Sequence, residues 1–318
     1  MKITFRWILL LSTLPFFVQA QDEQADNEED SFWDSGGEFN ATFQQVGLSN
    51  WAGGGQSTIA LGGVASAFWS YDDTTTRRWE NSLEISYGIS RIGGSEDARF
   101  TKTKDNLIYT SRYGRKLSKN WYLSGLGDLR TQIAQGFRLV QVNDSLQDER
   151  LVSRFMAPGF LIASLGLTYS PEKRKLTDDS INAKKKEGNY FALSLSPFSG
   201  KFTFVLDEQL VESDLFNTGG AKVRAEAGAS MTLGVRRKVL DNVVFGSNLN
   251  LFAGYEEFQN VDFNLESLLV LRVNKYIVSN ISLQMIYDDD INVERDDGSI
   301  GPALQVQNAI NVGFSYGF

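Results

Sequence analysis

The sequence predicts an all-β fold, a closed antiparallel transmembrane β-barrel of about 12 strands. Three observations predict it. Apolar and polar residues alternate with period two through stretches of roughly ten residues or more, the length a tilted membrane-crossing strand needs. Past residue 20 there is no apolar run long enough to cross a bilayer as a helix. The composition is even from about Phe32 onward, with 5 Pro in 318 residues and no linker, so a single domain is expected.

The elements follow in order. Lys2 and Arg6 precede the apolar run Trp7–Val18, which is too short for a transmembrane helix, and Val18-Gln19-Ala20 resembles a peptidase site. Residues 1–20 are therefore expected to be a cleaved secretory signal. Residues 21–32 form an acidic N-terminal tail, expected to be disordered. The barrel is expected over residues 33–318.

The first strands are placed near Glu38–Gly47 and Ser57–Ser70. Arg78–Ser90 carries the pattern most plainly. Trp79, Asn81, Leu83, Ile85, Tyr87 and Ile89 share one face, while Arg78, Glu80, Ser82, Glu84 and Ser86 share the other. Strands follow near Arg99–Lys116, from Trp121 to Ile133, and near Arg154–Ser170 and Asn189–Leu206. Pro197 to Gly200 interrupts the last of these and predicts a bend within one strand. Further alternation begins at Val223, Val243, Val261, Ile277 and Leu304. A soluble sandwich also alternates, but has no need of such length in nearly every strand.

An even strand count puts both termini on one side, expected to be periplasmic. Short links at Leu117–Asn120, Val239–Asn242 and Asn274–Tyr276 are then periplasmic turns. Longer links at Leu48–Gln56, Ile92–Ala98, Phe137–Ser153, Asp207–Gly219 and Asp289–Pro302 face outside. The basic link Pro171–Gly188 fits this scheme poorly, being long yet periplasmic. Trp69, Trp79, Tyr113, Trp121, Tyr169 and Tyr276 gather at the periplasmic edge, and Tyr87, Phe100, Tyr255 and Tyr287 near the outer one, as interfacial girdles do.

The final residues NVGFSYGF place Asn311, Gly313, Tyr316 and Phe318 in a pattern that resembles the C-terminal β-signal of Gram-negative outer-membrane barrels. That resemblance implies the cell outer membrane, contact with its lipid, and recognition by the barrel-insertion machinery through the last strand.

Composition excludes several classes. The chain has 31 Lys+Arg against 39 Asp+Glu, a formal net charge of −8, and loss of Lys2 and Arg6 with the signal makes it more negative. Nucleic acid needs a basic face, so no nucleic-acid partner is expected. With no Cys there is no disulfide framework and no thiolate metal site. With no His, serine–histidine hydrolysis and imidazole metal sites are absent.

Four strings carry a family resemblance: Asn50-Trp51 with Gly53-Gly54-Gly55, Trp79-Glu80-Asn81, Lys102-Thr103-Lys104-Asp105, and Ser196 to Phe204 (SPFSGKFTF). Together they resemble an uncharacterised family of outer-membrane β-barrels known only as a domain of unknown function, over about Trp33 to Phe318. The resemblance implies a barrel in the outer membrane and supplies no catalytic residue and no ligand.

The charged residues on the inward register are the candidate site: Arg78, Glu80, Glu84, Asp128, Arg130, Arg224, Glu226, Arg236, Glu266 and Arg272. Such rings set selectivity in a water-filled pore, or else pair across the interior and fill it. Asp288, Asp289 and Asp290, with Asp296 and Asp297, are weak candidates for a divalent cation, since their spacing matches no EF-hand and a solvated acidic loop explains them. Gly53–Gly55 is followed by a strand rather than by a helix and Lys, so it is no phosphate loop. Lys102, Lys104 and the basic link read as solvated charge or as contacts to lipid phosphates. No cofactor and no catalytic residue are expected. The leading expectation is a passive channel or small-solute transporter with a polar, charged lumen. The alternatives are a plugged barrel that docks a partner through its external loops, and, last, a barrel enzyme acting on lipids.

Overall fold

The computed structural model describes residues 32–47, 56–73, 75–93, 99–143, 146–171, 190–213, 215–274, 276–295 and 299–317. The signal and tail expected over residues 1–31, the Gly53–Gly55 string, Asp296, Asp297 and Phe318 lie outside them. So does nearly all of the Pro171–Gly188 link.

Twelve antiparallel strands form one closed ring. They are β1 (Trp33–Val46), β2 (Thr58–Asp72), β3 (Arg77–Ile92), β4 (Phe100–Lys116), β5 (Trp121–Thr131), β8 (Gly159–Tyr169), β9 (Tyr190–Phe204), β10 (Val223–Leu240), β11 (Val243–Gly254), β12 (Val261–Arg272), β13 (Ile277–Tyr287) and β16 (Gln305–Gly317). Consecutive strands of this series are neighbours, and β16 closes on β1. Closure over the Glu38–Thr42 ladder leaves no strand with a wholly free edge. The strands run from 11 to 18 residues, enough to cross a hydrocarbon layer with tilt.

Two small hairpins sit in the links: β6 (Gly136–Asn143) with β7 (Leu146–Ser153), and β14 (Val293–Glu294) with β15 (Ile300–Gly301). One short helix, α1 (Glu208–Ser213), lies between β9 and β10. The strand expected from Arg154 begins five residues later, at Gly159. Thr131 explains the delay: its hydroxyl donates to Pro158 O (3.1 Å) and accepts from Met156 N (2.9 Å), holding 154–158 off the ladder.

The Pro197–Gly200 interruption is a bulge within one strand. Register slips between Ser196 and Ser199 on the β10 side, and between Leu195 and Phe198 on the β8 side. Proline cannot donate to a ladder, so the chain bows out there and Phe198 is left 73% exposed. The bow drives the β9 backbone against β8, where a Cβ on Gly166 would sit 2.1 Å from Leu195 O. Tyr255 Oη donates to Pro197 O from the far rim.

The two ends of the barrel differ. The near end, where β1 starts and β16 stops, has tight turns stapled by side chains. Asp73 accepts from the backbone N–H of Thr75, Thr76 and Arg77 and from the Thr76 hydroxyl. These four donors hold its carboxyl well below the usual carboxylate range. Asn274 Oδ1 accepts from Tyr276 N and Ile277 N. The far end carries most of the longer links, the one between β8 and β9 being the exception. At the far end Ala157, Val205, Leu210 and Phe216 form a small apolar core, with Leu151, Val211, Leu215 and Ile291 packed against it. Three separate links thus share one cap.

Outward registers are apolar and exposed, as in Leu165, Leu167, Leu195, Ile310, Val312 and Phe314. Aromatic pairs band the near end: Trp33 with Tyr71 and Trp79, Trp121 with Tyr169, and Tyr276 stacked on Phe314. Phe263 stacks on Tyr287 at the far end. Asn81 is the exception on the outward face, and it is 3% exposed. It accepts from Tyr109 Oη and from the Ser111 hydroxyl, and donates to Trp69 O, while Trp69 stacks on Tyr109 beside it. An amide on this face is tolerated because neighbouring aromatics and hydroxyls satisfy it.

Candidate functional site

The interior is built by parity. Each inward residue is flanked by outward ones, so the charged positions read from the sequence converge on the axis. They meet in tiers.

At the near end Arg78, 8% exposed, pairs with Asp72 (2.8 Å), donates to Ser170 Oγ (3.1 Å) and lies over the Tyr122 ring. One step inward Arg112 reaches Tyr190 Oη (2.6 Å) and Glu80 (3.6 Å). Tyr190 opens β9, three places round the ring from β4, so this contact crosses the interior. On the other wall Glu38 accepts from Ser315 Oγ (2.6 Å) and approaches Arg272 (3.8 Å).

The middle tier joins the strands farthest apart round the ring. Arg130 on β5 pairs with Asp128 (2.6 Å) and with Glu266 on β12 (2.5 Å). Five places separate β5 from β12 in a ring of twelve. Thr110 donates to Asp128 and Gln284 to Glu266, completing a belt of hydrogen bonds. Glu84 lies on the same inward register of β3 and is half-buried. Below this belt the lumen has room: Phe68 and Leu268, both on inward registers, are 42% and 41% exposed, and Asn248 is exposed too.

At the far end Lys201, with a side chain 5% exposed, holds Asp262 (2.5 Å) and Asp288 (2.6 Å), with Glu226 at 3.9 Å. Arg224 bridges Glu226 (2.7 Å) and Asp290. Outside this tier, on the outward register that pairs Lys102 with Ile89 and Asp105 with Tyr87, Lys102 Nζ bonds Asp105, Gln132, Ala134 O and Ser153 Oγ. Asp105 also accepts from Ile133 N and Ala134 N. Near the cap, Asp207 accepts from Arg154 and from two N–H groups opening α1, which lowers its pKa.

Nine of the ten inward charges thus lie within the described lumen, eight of them in ion pairs; Glu84 is the ninth. Arg236 does not join them. It sits near the end of β10, paired with Gly246 and with Tyr190, the first residue of β9, and is exposed. Two expectations need correction. Asp288 and Asp290 are not solvated loop carboxylates, because Lys201 and Arg224 bind them at the mouth. Lys102 is not a solvated charge: the bulge at Thr103, between the Gly88↔Lys104 and Ile89↔Lys102 pairs, puts it on the outward register, where Asp105, Gln132, Ala134 O and Ser153 take up its ammonium. Lys201, Arg112 and Tyr190 were missed as partners. Their inward parity was legible, but a partner three strands away was not.

Asp262, Asp288 and Asp289 bring carboxylate oxygens within 4.8 Å of one another. The Lys201 ammonium already occupies two of the three, and Asn260 donates to Asp289 (2.6 Å), so the cluster carries its own cation. Asp290 is committed to Arg224. These residues do not form a free set of oxygen ligands for a divalent ion.

Of the β-signal residues, Asn311 and Gly313 lie on the inward register of β16 and Tyr316 on the outward one. Gly313 is required by closure: a Cβ there would meet Ala41 O of β1 at 2.1 Å.

A family model described as Protein of unknown function (DUF3078) matches residues 43–137. Three of the four strings that carry the sequence resemblance fall in that range; Ser196–Phe204 lies beyond it. No curated protein sequence matches. Among solved structures, an outer membrane channel from Pseudomonas putida F1 is similar at 12% identity and TM-score 0.39, covering 94% of this chain and 100% of that one. The translocator domain of the autotransporter NalP from Neisseria meningitidis gives 9% identity and TM-score 0.34, with 89% and 86% covered. A deltaS2 mutant of the TodX monoaromatic hydrocarbon channel gives 12% identity and TM-score 0.33, with 90% and 89% covered. At these values the likeness assigns no role to this chain.

Proposed function

We propose that this chain is an integral outer-membrane β-barrel, not an enzyme, that acts as a small-solute channel closed at rest across its middle. The observation that carries the reading is the Arg130–Glu266 bridge. It spans a lumen whose inward residues below it are exposed to water. A barrel of this size lies between side-chain-filled barrels and open porins. One bridging pair therefore decides whether the two ends communicate. The apolar outward registers and banded aromatics support membrane insertion. The termini are assigned to the periplasm, because the far end carries most of the longer links, the one between β8 and β9 being the exception.

Planar-bilayer recording of the refolded protein tests this reading. The parent chain should conduct little, and Glu266→Gln should open it to steady current. Two tight barrels, parent and variant alike, with no solute flux into liposomes would overturn the channel role.

One observation favours a second reading, a barrel that docks a partner. The cap at the far end has its own buried core, including Leu210 at 1% exposure. Loops left free for gating alone have no need of one. A stoichiometric partner recovered in mild detergent, and lost when α1 is deleted, would select this alternative.

A further inference from the structure

The wall closes between β1 and β16, and it closes over only part of its height. The ladder runs from Glu38↔Gly317 to Thr42↔Gly313. Beyond Thr42, β1 continues in register with β2 as far as Val46↔Thr58. β16 likewise stays in register with β13 from Ile277↔Phe314 to Ile286↔Gln305. No pairing joins Phe43–Val46 to Ala309–Val312 among the described residues. At about 3.3 Å per residue, roughly 13 Å of facing strand edge is left unjoined.

The side chains agree. Phe43 through Val46 are exposed on both faces, and Ile310 and Val312 are 75% and 60% exposed. On the inward register of β16 above the seam, Gln307 Nε2 donates to Thr103 O at 3.3 Å. Thr103 is on β4, four places round the ring. Outside the slit lies a groove of about 660 Å³, lined among others by Ala41, Phe43, Leu61, Tyr87, Val312 and Phe314. Thr42, Gln44 and Asn311 lie on the inward registers beside it.

A strand edge turned to hydrocarbon leaves N–H and C=O groups that acyl chains cannot satisfy. An amphipathic molecule can satisfy them, with its tail in the groove and its head at the edge. We propose that the slit is a lateral portal. In it the acyl chain of a membrane lipid lies along the outer groove, while the polar head group meets Thr42, Gln44, Asn311 and the unpaired backbone. The proposal rests on the membrane location given above. It commits to lipid rather than to an added protein strand for two reasons. The groove is continuous with the apolar outward face. And β1 and β16 are paired at Thr42↔Gly313 immediately below, so the slit opens from one strand spacing of about 4.8 Å and not from the two that an inserted strand requires.

The chain has no Cys, so Phe43→Cys with Val312→Cys introduces a single possible disulfide, at the next register pair above Thr42↔Gly313. The barrel is reconstituted in phosphatidylcholine vesicles containing phosphatidylethanolamine with a photoactivatable diazirine on its acyl chain. Crosslinks should concentrate several-fold on peptides holding Leu61 and Val312 over the peptide holding Leu269. Oxidation of the cysteine pair should abolish that excess, and reduction should restore it. If the pair prevents folding, shown by loss of the heat-modifiable band, Ala41→Trp fills the groove instead and should cut the excess several-fold.

Even labelling around the wall, or labelling indifferent to both the lock and Ala41→Trp, overturns the portal. So does a crosslink from Val46→Cys to another polypeptide in native membranes, which would assign the edge to a protein strand. In each of these cases the barrel is still in the membrane, so the proposed location stands. Recovery of the folded protein free of vesicles would overturn the location and the portal together.

Discussion

Arg130 donates to Glu266 from a strand five places away round a ring of twelve. Two inward side chains meet across the lumen at 2.5 Å, with side chains 17% and 25% exposed. Neither reaches a wall neighbour that would serve both. Arg130 keeps Asp128 on its own strand and Glu266 keeps Gln284. The pair is a strut between walls rather than a patch on one.

Removing one partner should therefore change permeation more than folding. Glu266→Gln and Arg130→Gln should each raise single-channel conductance from near zero. Each should cost stability by about 1–3 kcal/mol through the partner left unpaired in a partly wet site. The charge swap Arg130→Glu with Glu266→Arg should restore closure. Bilayer recording with urea unfolding reads both effects, and an unchanged conductance in all three variants would show that the strut is not the barrier.

Facing can be tested directly. Leu269→Arg places a charge on the outward register of β12 at mid-strand and should cost about 2–4 kcal/mol in a bilayer. Asn248→Arg, on the inward register of the paired strand and exposed to the lumen, should cost far less. Equal losses in lipid-vesicle refolding would contradict the assignment of the two faces.

Closure at the last strand depends on a missing side chain. Gly313→Ala puts a Cβ 2.1 Å from Ala41 O and 2.8 Å from Thr42 Cγ2. The neighbouring backbone must shift, at a cost of about 1–3 kcal/mol, and the β1–β16 ladder is short to begin with. Less heat-resistant folded band on a gel, with normal synthesis, is the expected result.

The near-end turn gives a pH signature. Asp73 has its folded pKa depressed by the Thr76 hydroxyl and by three backbone donors. Its contribution to stability is fully present above the unfolded carboxylate pKa of about 3.9 and is lost as pH falls below that value. Asp73→Ala should thus be less stable than the parent at pH 7. The gap should narrow as denaturation is repeated below pH 4, and a constant gap would exclude the turn carboxylate as its source.

The cap should melt apart from the barrel. Leu210→Ala removes most of a fully buried side chain from a core of four buried residues, costing about 2–4 kcal/mol locally. Protease should then cut between β9 and β10 while the barrel still migrates as folded. Loss of both together would tie the cap to the wall.

Much of this molecule was readable in one dimension. Trp79 to Ile89 alternate against Arg78 to Ser86 because a strand turns each side chain to the opposite face, so parity named the inward charges without any knowledge of neighbours. Asn81 was read among the apolar set and stayed on that face, but its shelter under Trp69 and Tyr109 depends on strands that the alternation cannot align. Pro197 announced an interruption, and only pairing on both sides showed a bulge rather than a hairpin.

The sequence by itself therefore determined the period, the strand number and which residues look inward. All of these follow from local geometry repeated along the chain. The tertiary structure decided which inward charges meet, that Lys201 gathers Asp262 and Asp288, and that β16 leaves β1 above Gly313. Those contacts depend on how far the ring is staggered and flattened when it closes, and no single strand carries that information.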